Sequence, residues 1–255
     1  MANTVYDNKI IEAKAQDLLT TSINTRNLMT VDNTLAETAG MTKTINVYTY
    51  TGTAEELANG EGNTTRGAIS FKGTDYTVKR VQANFDYTDD DFMKDHTVVD
   101  NGVAGATAIL KNKMNADFFA ECAKASLSVP GALSYDTIVD AISELNVEDE
   151  SKVFVVIPND QKALLRKDPD YVAARMGDVV YTGQVGTVCG IPVIASKAAD
   201  APYVMTPDAV KLFLKKDIGV GQERDEDTTV NSVYIRAYYI AALTDATKIC
   251  KIANA

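Results

Sequence analysis

The chain has 255 residues, 45% of them hydrophobic and 24% charged, which is enough for one or two domains with a real core. Its formal net charge of −10 argues against a protein that grips nucleic acid by neutralising phosphates with lysine and arginine. No stretch approaches about 18 consecutive apolar residues, and residues 1–30 lack a basic start before an apolar block, so neither a membrane span nor a secretory signal is expected.

Asp7 is placed to cap a helix reaching about residue 19, with Ile11, Ala15 and Leu18 as a narrow apolar stripe. Residues 20–42 are rich in Thr, Asn and Ala. Such a sequence reads either as an arm lying on a neighbouring molecule or as a helix packed on its own domain. Residues 44–50 alternate Ile45, Val47 and Thr49 with Asn46, Tyr48 and Tyr50, a strand pattern. Gly52, Gly60, Gly62 and Gly67 then mark a polar, flexible tip. Residues 68–71 and 76–87 return as strands, so 44–87 reads as a long hairpin with a glycine-rich excursion. A ribbon of two strands is barely stable alone in water, so this one needs a neighbouring surface.

Thr88-Asp89-Asp90-Asp91 reads as the opening of the longest helix, since aspartates complement a helix N-terminus. Val99, Val103, Ala106, Leu110, Met114, Phe118, Cys122 and Ala125 follow at steps of three or four. The 29 residues from 97 to 125 would span roughly 43 Å. Gly102 and Gly105 near its start read as a bend or an irregular first turn.

Val129-Pro130-Gly131 breaks the chain, and Ser134 caps a short helix with Ile138, Ile142 and Leu145 inward. Residues 153–157 form a buried strand stopped by Pro158. Asn159 caps a second helix, which Asp168-Pro169 ends. Residues 184–189 and 191–195 form two strands about Gly190. Residues 212–214 are a strand candidate, and the polar run 222–228 separates them from a long strand at 230–243. A short strand at 246–252 closes the chain.

Reactive chemistry is sparse. His96 is the single histidine, and no G-x-S-x-G or Cys-His motif supports it. Gly219-Val-Gly221 lacks the third glycine of a dinucleotide loop, and no Walker loop exists. Asp89-Asp-Asp91 lacks the glycine and final glutamate of a calcium loop. The acidic residues 223–227 are the one candidate for a divalent ion. Cys122, Cys189 and Cys250 are far apart and read as isolated thiols in a reducing cytoplasm, where the Asn63-Thr-Thr sequon has no consequence. No catalytic, cofactor or metal site is expected.

Gly186, Gly190, Pro192 and Val193, followed by Arg236, Ala237, Tyr238, Tyr239, Ala241 and Ala246, resemble the C-terminal part of a viral major capsid protein of the Hong Kong 97 type. The order of elements resembles that family over nearly the full length. The resemblance implies an α+β fold with four parts. They are an N-terminal arm (1–42), an extended β-hairpin loop with its base strands (43–87), a peripheral domain with a long spine helix (88–127 and 210–245), and an axial α/β domain (128–209 and 246–255). It implies a structural, non-enzymatic protein that self-assembles into pentamers and hexamers of an icosahedral phage head, in the virion, after assembly in the bacterial cytoplasm. Such a head encloses double-stranded DNA without sequence-specific binding and involves no membrane; scaffold, portal and decoration proteins are its further partners. Some members begin with a helical prodomain removed by a protease. With Met1 so close to the arm helix there is little room for one, which implies a separate scaffold or none. Some members join Lys and Asn side chains between subunits; Lys72 is the nearest candidate, and no crosslink is asserted. The alternatives are an encapsulin-type nanocompartment shell, another phage structural protein such as a tail tube, and a small α/β enzyme with residues 128–209 as its core.

At a net charge of −10 subunits repel at low salt, so contacts must be locally complementary. Arg66, Lys72, Lys79 and Arg80 give the extended loop a basic bias. Asp89, Asp90 and Asp91, with Glu223, Asp225, Glu226 and Asp227, are the acidic residues expected to face them across a subunit boundary; the alternative is that each is a solvated face.

Overall fold

The computed structural model describes residues 10–15, 25–37, 39–174 and 186–253. Helical residues 10–15 (α1) come first, followed by strand β1 (Thr30–Asp32) and one helical turn, α2 (Thr34–Glu37). The expected Asp7 cap, Leu18 and the start of the 184–189 strand lie outside the described residues. Strands β2 (Thr42–Thr51) and β3 (Ala68–Thr77) form an antiparallel ribbon, and β4 (Lys79–Thr88) continues from β3 after one residue, Val78. Helices α3 (Asp89–Lys94) and α4 (Val98–Cys122) follow. Then come β5 (Leu127–Pro130), α5 (Tyr135–Leu145), β6 (Phe154–Pro158), α6 (Lys162–Lys167) and α7 (Pro169–Ala174). The chain ends with β7 (Thr187–Val188), β8 (Ile191–Ser196), β9 (Tyr203–Met205), β10 (Val210–Asp225), β11 (Val230–Leu243) and β12 (Ile249–Ala253).

Two sheets carry the fold. A four-stranded sheet has the order β1-β10-β11-β4, and a six-stranded mixed sheet has the order β5-β12-β9-β6-β8-β7. The alternation of β11 decides how the first sheet packs. Val233, Ile235, Ala237 and Tyr239 are buried on one face, and Ser232, Tyr234, Arg236 and Tyr238 lie on the other. The buried face meets α4, whose Val99, Val103, Ala106 and Leu110 pack with Ala83, Tyr87, Val233 and Ile235. The far half of α4 reaches both sheets. Met114, Phe118, Phe119 and Cys122 share one cluster with Leu212, Ala237 and Tyr239 and with Phe154, Tyr203 and Ile249. Each large side chain buried there contributes about 1.5–3 kcal/mol relative to exposure. A separate cluster joins the six-stranded sheet to Ile138, Ala141 and Leu145 of α5 and Tyr171 of α7.

The apolar stripe expected on the spine helix is buried from Val99 to Cys122, but the helix is shorter at both ends: it starts at Val98 and stops at Cys122, leaving Ala125 beyond it. Thr88 and Asp91 form a reciprocal capping box for α3, not for α4. Asp95 is extended (φ −143°), and its carboxylate accepts from the Thr97 amide and hydroxyl at 2.9 and 2.7 Å. That local bonding competes with the helical backbone and splits one expected helix into two. The first glycine pair also reads differently. α4 is unbroken across Gly102 and Gly105, and the Phe85 ring lies where a Cβ on Gly102 would stand.

Strand β10 is far longer than the expected 212–214, because residues 222–225 of the polar run pair with β11 and only 226–229 turn. Here both faces are polar, so no hydrophobic alternation announces the strand. Residues 72–75 belong to the continuous strand β3. Pro169 opens α7 where a stop was expected, as its missing N–H suits a first helical position. Gln161, not Asn159, precedes α6. The turn between β7 and β8 is the left-handed pair Cys189 (φ 51°) and Gly190 (φ 82°), which suits a two-residue hairpin. Residues 246–248 are a 3-10 turn before β12. Of the two readings of the N-terminal helix, residues 10–15 follow the second. Ile11 and Ala15 are buried in the cluster with Val99 and Val103, and Lys14 pairs with Asp100 at 2.6 Å.

Gly105 is exposed and open, so Gly105→Ala should stabilise the unassembled subunit by about 1 kcal/mol through helix propensity. Gly102→Ala should destabilise it by about 1–3 kcal/mol, because the added methyl meets Phe85. Urea unfolding of the two variants checks the opposite signs; equal stabilisation would mean that the helix does not seat on Phe85.

Candidate subunit-contact surfaces

The β2–β3 ribbon pairs in register from Thr42 opposite Thr77 to Thr51 opposite Ala68. Directly opposed residues share a face. Tyr48 with Phe71 and Tyr50 with Ile69 therefore line one side, where they are 65–70% exposed. The Tyr48 and Phe71 ring centroids are 6.0 Å apart. These four residues were not singled out in the sequence, where Tyr and Phe scattered among Thr, Ser and Lys read only as strand. No third strand or helix covers that face among the described residues.

The ribbon is anchored at its base alone. Val78 is buried with Leu35, Phe213 and Ile240, and its amide donates to the Met41 carbonyl at 2.7 Å. Lys43 lies over the Phe213 ring and Lys124 over the Tyr76 ring. Burial, with Glu121 nearby, raises the Tyr76 phenol above its ordinary range. At the far end, the Glu55 carboxylate accepts from the Thr64 amide (2.7 Å) and hydroxyl (2.9 Å) and from the Thr65 amide (2.9 Å). Those bonds, the Thr64 amide foremost, hold its pKa down at about 2 and close the tip into a defined turn.

The structure divides the charged residues expected at a boundary. Arg66 lies in the tip and Lys72 on the ribbon opposite Val47, both exposed. Lys79 and Arg80 lie in β4, which pairs with β11 as an integral strand of the four-stranded sheet. Lys79 bonds to Asp117 of its own chain at 3.2 Å. Asp89 bonds through both oxygens to Arg224, at 3.1 and 2.8 Å, and accepts from Asn231 at 2.8 Å. These bonds hold the Asp89 carboxyl below its usual range and raise Arg224. The Asp91 carboxylate accepts from the Thr88 amide and hydroxyl in the α3 capping box, and Asp225 accepts from the Thr228 hydroxyl and the Asp227 amide. Glu226 pairs with Arg224 at 3.1 Å, and Glu223 accepts from the Tyr234 hydroxyl at 3.3 Å. Several acidic residues thus serve inside the subunit, tying the β10–β11 turn to α3. The structure brings together Asp89, Arg224 and Glu226, and leaves the side chains of Arg66, Lys72, Arg80, Asp90 and Asp227 without an ion pair or hydrogen bond among the described residues. Among those residues no group of three or more His, Cys, Asp or Glu side chains is placed to hold a metal ion. No helix among them is long and apolar enough to cross a membrane.

A second feature escaped the sequence pattern. Asp117 is buried on α4 beside the apolar stripe and gathers Tyr239 at 2.9 Å, Lys113 at 3.1 Å and Lys79 at 3.2 Å. Burial pushes its carboxyl up, but the three hydrogen bonds outweigh that and hold it below the ordinary range. Burial and the same carboxylate raise the Tyr239 phenol. The network fastens α4 to β11 and β4. In the six-stranded sheet, Tyr135 Oη lies 3.1 Å from the sulfur of the exposed Cys189. Cys122 and Cys250 are buried, and burial pushes the Cys250 thiol up to about 11.

An uncovered ribbon, a spine helix under a long antiparallel sheet, and a mixed sheet at one end define a structural protein of the Hong Kong 97-type fold. Residues 72–252 match the family described as phage capsid protein. The chain belongs to that family and is a structural component of the virion capsid. It is similar to the major capsid protein of Staphylococcus phage phiMR11, 27% identical over 236 residues, covering 87% of this chain and 84% of that one. Its fold is similar to the capsid of cyanophage P-SCSP1u (TM-score 0.70, 12% identity, 89% of this chain and 86% of that one). It is also similar to a virus-like particle from Pyrococcus furiosus (TM-score 0.67, 10% identity, 96% and 98%). The family match over residues 72–252, and not these fold likenesses, identifies the chain as a phage capsid protein.

Asp117→Ala should cost the subunit about 2 kcal/mol at pH 7, the scale of lost hydrogen bonds to a buried charge. A carboxyl with a lowered folded pKa adds stability that is complete above its unfolded value, about 3.9, and is lost as pH falls through the folded value. The gap between wild type and variant should therefore shrink between pH 5 and pH 2. Urea midpoints across that range check it, and a pH-independent gap would show that the carboxylate charge is not what fastens the helix.

Proposed function

We propose that the chain builds the shell of an icosahedral phage head as pentamers and hexamers in which each ribbon lies across an adjacent copy. The observation that carries this is the ribbon's aromatic face. Tyr48, Tyr50, Ile69 and Phe71 are each at least 65% exposed on a two-stranded element that its own chain touches only at the base. A ribbon of this kind gains its stability from a neighbour. The four-stranded sheet with α4 serves as the peripheral domain, and the six-stranded sheet with α5 as the axial domain facing the capsomer centre. Residues 43–87 form the extended loop with its base strand, and residues 1–42 the N-terminal segment, of which residues 10–15 and β1 pack on their own chain. Arg66, Lys72, Arg80, Asp90 and Asp227 are the members of the expected charged set left for contacts between copies.

Association costs each subunit several kcal/mol of rigid-body freedom, so the contact area must be large. A ribbon of ten-residue strands adds such area without enlarging the core. The net charge of −10 keeps unassembled copies apart at low salt and suits a shell that does not adhere to the DNA it encloses. Scaffold, portal and decoration proteins complete the head.

The double substitution Tyr48→Asp and Phe71→Asp changes exposed side chains, so subunit stability should move by no more than about 0.5 kcal/mol. Shells seen by negative-stain microscopy should be lost or reduced at least tenfold. Normal shells from this variant would contradict the proposed use of the ribbon.

A further inference from the structure

The face of the four-stranded sheet opposite α4, covered at one end by Leu35 and the ribbon base and otherwise uncovered among the described residues, is unevenly charged. Lys216, Tyr238 and Arg80 lie in one register row, and Gly219, Arg236 and Gln82 in the next. Glu223, Ser232 and Asp86 form a row further along, and Asp225, Val230 and Thr88 another. One end of the face is basic and the other acidic. At the basic end, Lys216, Gly219, Val220, Gly221, Arg236 and Tyr238 line a hollow of about 100 Å³. Gly219 and Gly221 leave its floor without side chains; a Cβ on Gly219 would stand 3.2 Å from Lys216 Cε. The Arg236 guanidinium lies over the Tyr234 ring, 5.4 Å from its centroid. Its Nε–H is buried and has no hydrogen-bond partner. Neither Lys216, Arg236 nor Arg80 has a carboxylate partner among the described residues. The Glu12 carboxylate accepts from the lining Val220 amide at 3.0 Å, and the Lys216 and Arg236 charges in the same hollow remain to be balanced, which favours an anion there.

We propose that this hollow is an oxyanion site that receives a glutamate carboxylate, Glu56 or Glu61, from the ribbon tip of a second copy. The inference rests on the shell function proposed above and names a contact within it. The tip, residues 52–67, holds Glu55, Glu56 and Glu61 against a single Arg66. Glu55 is committed to the Thr64 and Thr65 groups, whereas the Glu56 and Glu61 side chains have no partner among the described residues. The tip is therefore acidic; of the four cations expected on the loop, Arg66 lies in the tip, Lys72 on β3, and Lys79 and Arg80 on β4. A carboxylate entering the hollow meets the Arg236 guanidinium and the Lys216 ammonium beside Tyr238, a charge-assisted set. The alternative anion, the phosphate backbone of DNA, fits the same face poorly. DNA carries a negative charge every 1.7 Å or so, and the rows of Glu223 with Asp86 and of Asp225 lie only about 13–20 Å along the strands from Arg236. A single acidic tip avoids those rows, and an extended polyanion crosses them.

The test is a charge swap in the full chain, read as shells counted by microscopy and sedimentation at 0.15 M salt. Arg236→Glu with Lys216→Glu, and separately Glu56→Lys with Glu61→Lys, should each reduce shells at least tenfold against wild type. The combined four-residue variant should recover them to within about threefold of wild type. Circular dichroism of the unassembled chains shows whether each variant folds. If the Arg236 change unfolds the sheet, Lys216→Glu alone, on an exposed side chain, carries the same test. Both double variants assembling normally, or the combined variant failing to recover while folded, would overturn the inference. So would a variant that assembles normally but changes DNA retention, which would assign the hollow to phosphate. Absence of shells from wild type would instead count against the shell function itself.

Discussion

Strand β11 pairs with β10 from Val210 opposite Leu243 to Asp225 opposite Val230, and with β4 over Val230–Tyr239, from Thr88 to Lys79. Its alternation leaves no freedom of register. A slip of one residue would turn Val233, Ile235, Ala237 and Tyr239 away from α4 and bring Tyr234, Arg236 and Tyr238 beneath it. Because β4 runs through the buried Val78 into β3, the place where β11 holds β4 is also the place from which the ribbon departs. The same register assembles the charged rows on the open face. The contact surfaces are thus consequences of one central strand and the helix under it, and the Asp117 network with Tyr239, Lys79 and Lys113 fastens that pair.

Much of this was legible in the sequence wherever one face of an element is buried. Strand 230–243 and the stripe from Val99 to Cys122 are readable because apolar spacing there follows the period of the element. The Ser134 cap is readable because a serine before an apolar run has few other uses. The failures share a cause. At residues 222–225 and along 72–75 both strand faces are polar or exposed, and pairing rather than hydrophobicity makes the strand. Thr88 and Asp95 both look like helix openers, and only the fold shows that two helices use them in turn. The candidate surfaces were less legible still. The aromatic face of the ribbon depends on cross-strand register between residues about twenty positions apart, as with Tyr48 and Phe71. The separation of acidic residues into internal ties, such as Asp89 with Arg224, and unpaired ones depends on contacts more than a hundred residues apart.

The distribution of charge suits a subunit that must be stable alone and adhesive only in the right neighbourhood. Asp89, Asp91, Asp117 and Asp225 are neutralised or hydrogen-bonded inside the chain, where they cap α3, fasten α4 and close the β10–β11 turn. What remains at the surface is a net acidic body with unpaired cations at one end of one sheet and, singly, at Arg66 and Lys72 of the ribbon. Non-specific association is then repulsive, and a correctly placed acidic segment is attracted. On the proposed reading, apolar area on the ribbon supplies binding free energy and the charges supply orientation.

The central claim is that the ribbon is completed by a neighbouring copy. Hydrogen–deuterium exchange measured on unassembled subunits and on assembled shells tests it most directly. Amides of residues 42–77 should exchange rapidly in the free subunit and become strongly protected in shells, while β11 and α4 should be protected in both. Equal protection of 42–77 in the two states, or rapid exchange in both, would contradict the account.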